Sequence, residues 1–146
     1  MTAATVSRWA RRYVLASAAF LLLWQVGVVA GVPRRTEVTL ALFGFVLHMV
    51  FGKAYSLVPS YFDRELAVPR APAVGFPLVV AGVAGLAADS LDVGPTWVAP
   101  AGAASWALGI AVFVGTLAWT VRDNLTGSAT GTGEANADRR PTDRLG

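Results

Sequence analysis

Apolar residues in this chain come in long unbroken blocks, not in the alternation that wraps a core in water. The first block runs from about Val14 to Val32 and holds a single strongly polar residue, Gln25. The second runs from Val38 to Val58, the third from about Ala73 to Ala88 and the fourth from about Trp97 to Val121. A helix of about 20 such residues crosses a hydrocarbon core of roughly 30 Å. The pattern therefore predicts an all-α membrane protein, a bundle of four transmembrane helices.

The breaks between blocks are chemically explicit. Gly31-Val32-Pro33 separates the first two, and Pro59 is expected to stop the second helix. The segment from Ser60 to Pro72 carries Asp63, Arg64, Glu65 and Arg70 with the breakers Pro69 and Pro72, which reads as a loop outside the lipid. The third block is expected to hold Gly75 and Pro77 in its first turn, where proline is tolerated. Asp89 to Pro95 forms an acidic turn before the fourth block. In that block Trp97 and Trp119 lie 22 positions apart, roughly 33 Å at helical rise, the spacing of two interfacial tryptophans bracketing a bilayer core. Residues 1–12 make a basic N-terminus, 13–122 the membrane domain, and 123–146 a tail too poor in apolar side chains to offset its ordering entropy, hence expected to be disordered.

Composition agrees: 55% of residues are hydrophobic and 14% charged, against about 25% charged in soluble domains. The net charge of +3 comes from Arg8, Arg11 and Arg12, because the remaining charges cancel. A basic cluster directly before an apolar run orients a membrane protein and does not build a nucleic-acid surface. Counting arginines on the flanks gives Arg8, Arg11, Arg12, Arg64, Arg70 and Arg122 on one side and Arg34 and Arg35 on the other. The positive-inside rule then predicts a multi-pass protein of the cytoplasmic membrane with both termini in the cytoplasm. A cleaved signal peptide is the rival reading of the first block, with Val28 and Ala30 before Gly31, but the apolar run is long for a signal core and Arg34 and Arg35 would follow the cut. One lysine against eleven arginines, with abundant Ala, Gly and Val, leads us to expect a GC-rich prokaryotic genome as the source.

With no cysteine in the chain, disulfides, thiolate metal sites and cysteine nucleophiles are excluded. The sequence presents no complete catalytic constellation: there is no phosphate loop and no His-Glu metal motif, and the chain's one histidine, His48, has no triad to join. A non-enzymatic protein is expected.

The second helix concentrates what chemistry there is, since His48 sits at its midpoint. At 100° per residue Gly44, His48, Gly52, Tyr55 and Pro59 share a stripe that Glu37 joins at one end. Three readings are open. His48 can make an interhelical hydrogen bond to Ser17, Gln25, Ser105 or Thr116. It can ligate haem b, with Gly44, Gly52 and Tyr55 shaping a pocket and a second copy's His48 completing a bis-histidine site in a homodimer. It can pass protons or ions along Glu37, His48 and Tyr55 as a small transporter. Lys53 reads as a snorkelling side chain. Ala81, Gly85 and Asp89, and likewise Ala101, Ser105 and Gly109, repeat every four residues, the small-residue spacing of close helix contacts.

The stretch Leu42 to Arg64, LFGFVLHMVFGKAYSLVPSYFDR, carries Gly44-Phe45, then Gly52-x-x-Tyr55-x-x-x-Pro59 and a charged turn. In this it resembles a helix of the haem–copper oxidase catalytic subunits, nitric-oxide-reductase relatives included, and small membrane proteins near them. The resemblance covers one of the four blocks. In the large oxidases a histidine precedes the Gly-Phe pair, whereas His48 follows it, and the other metal-site histidines are missing, so oxygen or nitric oxide reduction by this chain alone is excluded. What the resemblance leaves open is a reduced four-helix relative in the lipid bilayer that binds haem, one that accompanies a respiratory complex, of the oxidase or denitrification kind, as an accessory or interaction subunit, or a chain that shares only the helix packing.

Overall fold

The computed structural model describes residues 3–61, 66 and 68–127, without the side chains of 3–7, 59 and 123–127. The described residues are all-helical: α1 Ala3–Ala30, α2 Arg34–Val38, a π-helical segment Thr39–Val46, α3 Leu47–Tyr61, α4 Ala71–Ser90 and α5 Val98–Gly127. Four stretches are long and apolar enough to cross a membrane, Arg8–Ala30, Arg34–Val58, Ala71–Ser90 and Val98–Arg122. The second is the continuous run of α2, the π segment and α3. This is a multi-pass membrane protein. Its exterior carries Leu22, Val29, Leu57 and Leu108 exposed, as expected where lipid and not water is the solvent.

The chain folds as two hairpins. In the first, α1 packs along the second span; in the second, α4 and α5 make the most intimate contact of the molecule. Glycine lets the α4–α5 backbones close up: a Cβ on Gly85 would sit 3.0 Å from the Gly102 Cα, and one on Gly82 would sit 2.7 Å from the Trp106 backbone. Ser105 Oγ donates to the Leu78 carbonyl across the same seam at 2.8 Å. The expected four-residue repeats hold for Gly85, Ser105 and Gly109, but Ala81 and Ala101 are exposed. The contact line runs through Val79, Gly82 and Gly85 because one face of a helix recurs every 3.6 residues, not strictly every four.

Both short turns at one end of the bundle close in the same way. After α1, Val32 N–H donates to Gly27 O and Gly31 N–H to Val28 O, with Gly31 at φ 69°. After α4, Val93 N–H donates to Ala88 O and Asp92 N–H to Asp89 O, with Asp92 at φ 55°. These are Schellman caps, the second placing an aspartate in the left-handed position that glycine usually takes.

Several boundaries differ from expectation. The second span starts at Arg34, four residues before Val38, because an arginine side chain can reach the headgroups from inside a helix. α3 continues through Pro59 to Tyr61; so near a C-terminus proline costs only one backbone bond, and Ser60 Oγ donates to Ser56 O at 3.0 Å. α4 starts at Ala71 with Pro72 in its first turn, so Pro77 lies inside the helix, not in its first turn. α5 runs on to Gly127, five residues into the tail expected to be disordered from 123 onward; the rest of that tail, 128–146, and Asp63, Arg64 and Glu65 of the loop, lie outside the described residues.

Candidate functional site

His48 is wholly buried. Its Nδ1 lies 3.1 Å from the carbonyl oxygen of Phe43, five residues earlier in the same helix. A carbonyl can only accept, so Nδ1 carries the proton; in the neutral ring Nε2 then presents a lone pair. No hydrogen-bond partner reaches Nε2 among the described residues, and the same holds for Tyr55 Oη and Trp106 Nε1.

The backbone explains the bond. From Thr39 to Val46 the helix is π-wound, and at its end Leu47 N–H reaches back five residues to Leu42 O. The buried positions record the wider turn: Thr36, Thr39, Gly44, His48, Phe51 or Gly52, and Tyr55, with a five-residue step between Thr39 and Gly44. Residues up to Thr39 are thereby rotated out of the 100° phase relative to His48, and Glu37 leaves the His48 line. Glu37 Oε2 instead pairs with Arg34 at 2.8 Å, and its Cα is eleven residues, roughly 16 Å of helix, from His48.

Around the imidazole stand aromatic rings from two other helices. Phe20 and Tyr13 of α1 lie 5.0 and 6.0 Å away between centroids, and Phe76 of α4 lies 6.5 Å away edge-on. Tyr13 is the hub, since it also meets Phe51, Tyr55 and Phe76 at 6.2, 5.6 and 5.0 Å. It is fully buried, and its hydroxyl points to Pro72 O at 3.5 Å. Sequence reasoning left Tyr13 as a boundary residue. The signal that reveals it is the inward line Ala10, Tyr13, Ser17 and Phe20 on α1.

The two glycines flanking His48 are matched to α1. A Cβ on Gly44 would lie 2.7 Å from Phe20 Cγ, and one on Gly52 would lie 3.0 Å from the Ala10 carbonyl and from Tyr13 Cβ. Gly44, His48, Gly52 and Tyr55 thus come together on one face as expected, with a neighbouring helix seated against it. None of the four interhelical partners weighed for His48 is the one it takes: Ser17, Ser105 and Thr116 bond to the carbonyls of Val14, Leu78 and Val112, and Gln25 is exposed on the far side of α1. In this packing a second copy's imidazole has no approach to His48.

At the short-turn end a cleft of about 340 Å³ opens between Arg34 and Arg35 at its mouth and Val38, Phe43 and Leu86 in its wall. Its charge is answered locally, since Arg35 pairs with Asp89 at 3.1 Å as Arg34 does with Glu37. Lys53 is exposed, as a snorkelling side chain should be. Among the described residues no group of three or more His, Asp or Glu side chains is placed to hold a metal ion. Known protein families, curated proteins and solved structures contain no match to this chain.

Proposed function

We propose that this chain is a non-enzymatic accessory or interaction subunit of the cytoplasmic membrane, in which His48 is a structural element that pins the π-wound turn of the second span. The observation that carries the reading is the closed packing around the imidazole. One nitrogen is spent on the helix's own Phe43 carbonyl, rings from α1 and α4 enclose the rest, and α1 fills the notches at Gly44 and Gly52. A side chain built to meet a diffusing substrate needs an approach, and a packed core supplies none. The arginine distribution supports both termini in the cytoplasm. The transport reading gains least, because Glu37 is held by Arg34 away from the His48 face.

One observation favours a second reading, haem b ligation by His48. A ligating histidine characteristically donates its other ring N–H to a carbonyl, which fixes the tautomer and orients the free nitrogen toward the metal. His48 has that arrangement, with Nε2 buried and unbonded. Gly44, Gly52 and Tyr55 would line the porphyrin, and α1 would have to swing away from the glycines to admit it.

Absorption spectroscopy of protein purified after haem-replete expression separates the two. The structural reading expects no Soret band. A Soret band that disappears in His48→Ala would overturn it in favour of haem ligation.

A further inference from the structure

Helix α1 carries two interaction lines, and the bundle uses one. Ala10, Tyr13, Ser17, Phe20, Trp24 and Gly27 are buried or half-buried against the second span and α4, stepping by three and four residues. Roughly opposite, Leu15, Ala18, Leu22, Gln25 and Val29 step by three and four in the same way, and all five are exposed, Leu15 at 63%, Leu22 at 68% and Val29 at 90%. That 3.5-residue repeat is the seam of a left-handed helix pair crossing at about 20°.

Gln25 turns this seam from a lipid-facing surface into a docking surface. It lies five residues inside the end of the span Arg8–Ala30, roughly 7 Å into the membrane at helical rise. Ser17, Thr36, Thr39, Ser90, Thr116 and Thr120 all turn inward and are buried. Of the Ser, Thr, Asn and Gln side chains in the described spans two lie exposed: Ser56, two residues from the end of Arg34–Val58, whose short hydroxyl can turn back onto its own helix, and Gln25, whose amide no hydrogen bond reaches among the described residues. A carboxamide left bare in hydrocarbon is costly, and glutamine in a membrane helix gains by pairing across a helix interface.

We infer that α1 is a homodimerisation helix, in which a second copy of this chain docks in parallel along Leu15, Ala18, Leu22, Gln25 and Val29, with the two Gln25 amides hydrogen-bonded across the two-fold axis. The occupant follows from the chemistry of the seam. A carboxamide is both donor and acceptor, so it complements itself about a two-fold axis. Copies of one chain share one orientation in the membrane, so α1 meets α1 in parallel and residue 25 faces residue 25. Within the hydrocarbon no charge on the seam selects an unlike partner; its continuation at Arg11 lies at the end of the span, where long side chains splay into the headgroups. Ala18 sits between the two leucines and lets the helices approach.

The absence of native cysteine makes the test clean. Full-length single-cysteine variants Leu22→Cys and Val29→Cys, oxidised in native membranes, should form a covalent species of twice the chain mass. Leu23→Cys, exposed but about 120° around the helix, should yield several-fold less. In proteoliposomes of the purified chain, Gln25→Leu should weaken self-association measured by energy transfer by roughly 5- to 30-fold, the equivalent of about 1–2 kcal/mol, and Gln25→Asn should restore part of it. Equal yields at Leu22→Cys and Leu23→Cys, cross-links only to a heavier unlike protein, or an unchanged dissociation constant in Gln25→Leu would each overturn the inference. None of these readouts depends on whether His48 binds haem.

Discussion

A histidine inside a bilayer has two nitrogens to satisfy, and this one satisfies a single nitrogen by bending its own backbone. In an α-helix the Phe43 carbonyl would be engaged by the amide four residues on; the π-wound turn is the local departure that accompanies its bond to the His48 ring. The turn also sets Gly44 directly under Phe20, and that contact can be tested. A methyl group on residue 44 would meet three Phe20 side-chain atoms at 2.7–2.8 Å, so Gly44→Ala should destabilise the fold by about 1–3 kcal/mol through overpacking. Gly115 supplies the control: nothing lies within 4 Å of its notional Cβ. There the alanine variant should be neutral or more stable by about 0.5–1 kcal/mol, since glycine is a poor helix former. Thermal unfolding of both variants in the same detergent measures the difference. Equal stabilities would mean that the Phe20–Gly44 contact does not constrain the bundle.

At the scale of elements, the two hairpins are held together at the short-turn end by polar contacts as well as by aromatic ones. Thr36 Oγ1 lies 2.7 Å from Ser90 Oγ, both residues are buried, and Ser90 Oγ is also placed to donate to Ala87 O. A double-mutant cycle of Thr36→Val and Ser90→Ala should return a coupling of about 0.6 kcal/mol and no more than about 1.7, the range of interhelical hydrogen bonds in membranes. Strictly additive stabilities would show that the hairpins do not communicate there. The sequence made the number of helices and their rough limits legible, because a bilayer demands long apolar runs and tolerates few exceptions. It made the Gly44, His48, Gly52 and Tyr55 face legible for the same reason, since these residues follow the π segment or close it and keep helical phase. What it hid came from backbone detail. The π turn between Thr39 and Gly44 has no side-chain signature that a fixed 100° step can detect, so Glu37 was set on the wrong line. Pro59 and Pro77 look like boundaries in one dimension, and helix packing carries the chain through both.

For the whole molecule, orientation is the property on which partner and compartment both depend. The charges differ between the two ends of the bundle. One end carries Arg8, Arg11, Arg12 and Arg122, with Arg12 and Arg122 each stacked 4.3 Å from the ring centre of Trp9 or Trp119. The other carries Arg34 and Arg35, each held by a carboxylate, Glu37 or Asp89. Arginine and lysine close to a span resist translocation, whereas acidic residues contribute little to the choice, so four arginines at the first end outweigh two at the other. The end bearing both termini should therefore remain in the cytoplasm. Two exposed positions report on this: Leu91 in the short turn, 42% exposed, and Val68 in the loop, 46% exposed. In intact cells Leu91→Cys should react with a membrane-impermeant maleimide and Val68→Cys should not, with both reacting after lysis. The converse pattern would place the arginine-poor end inside and the arginine-rich end outside, and the charge argument for orientation would fall.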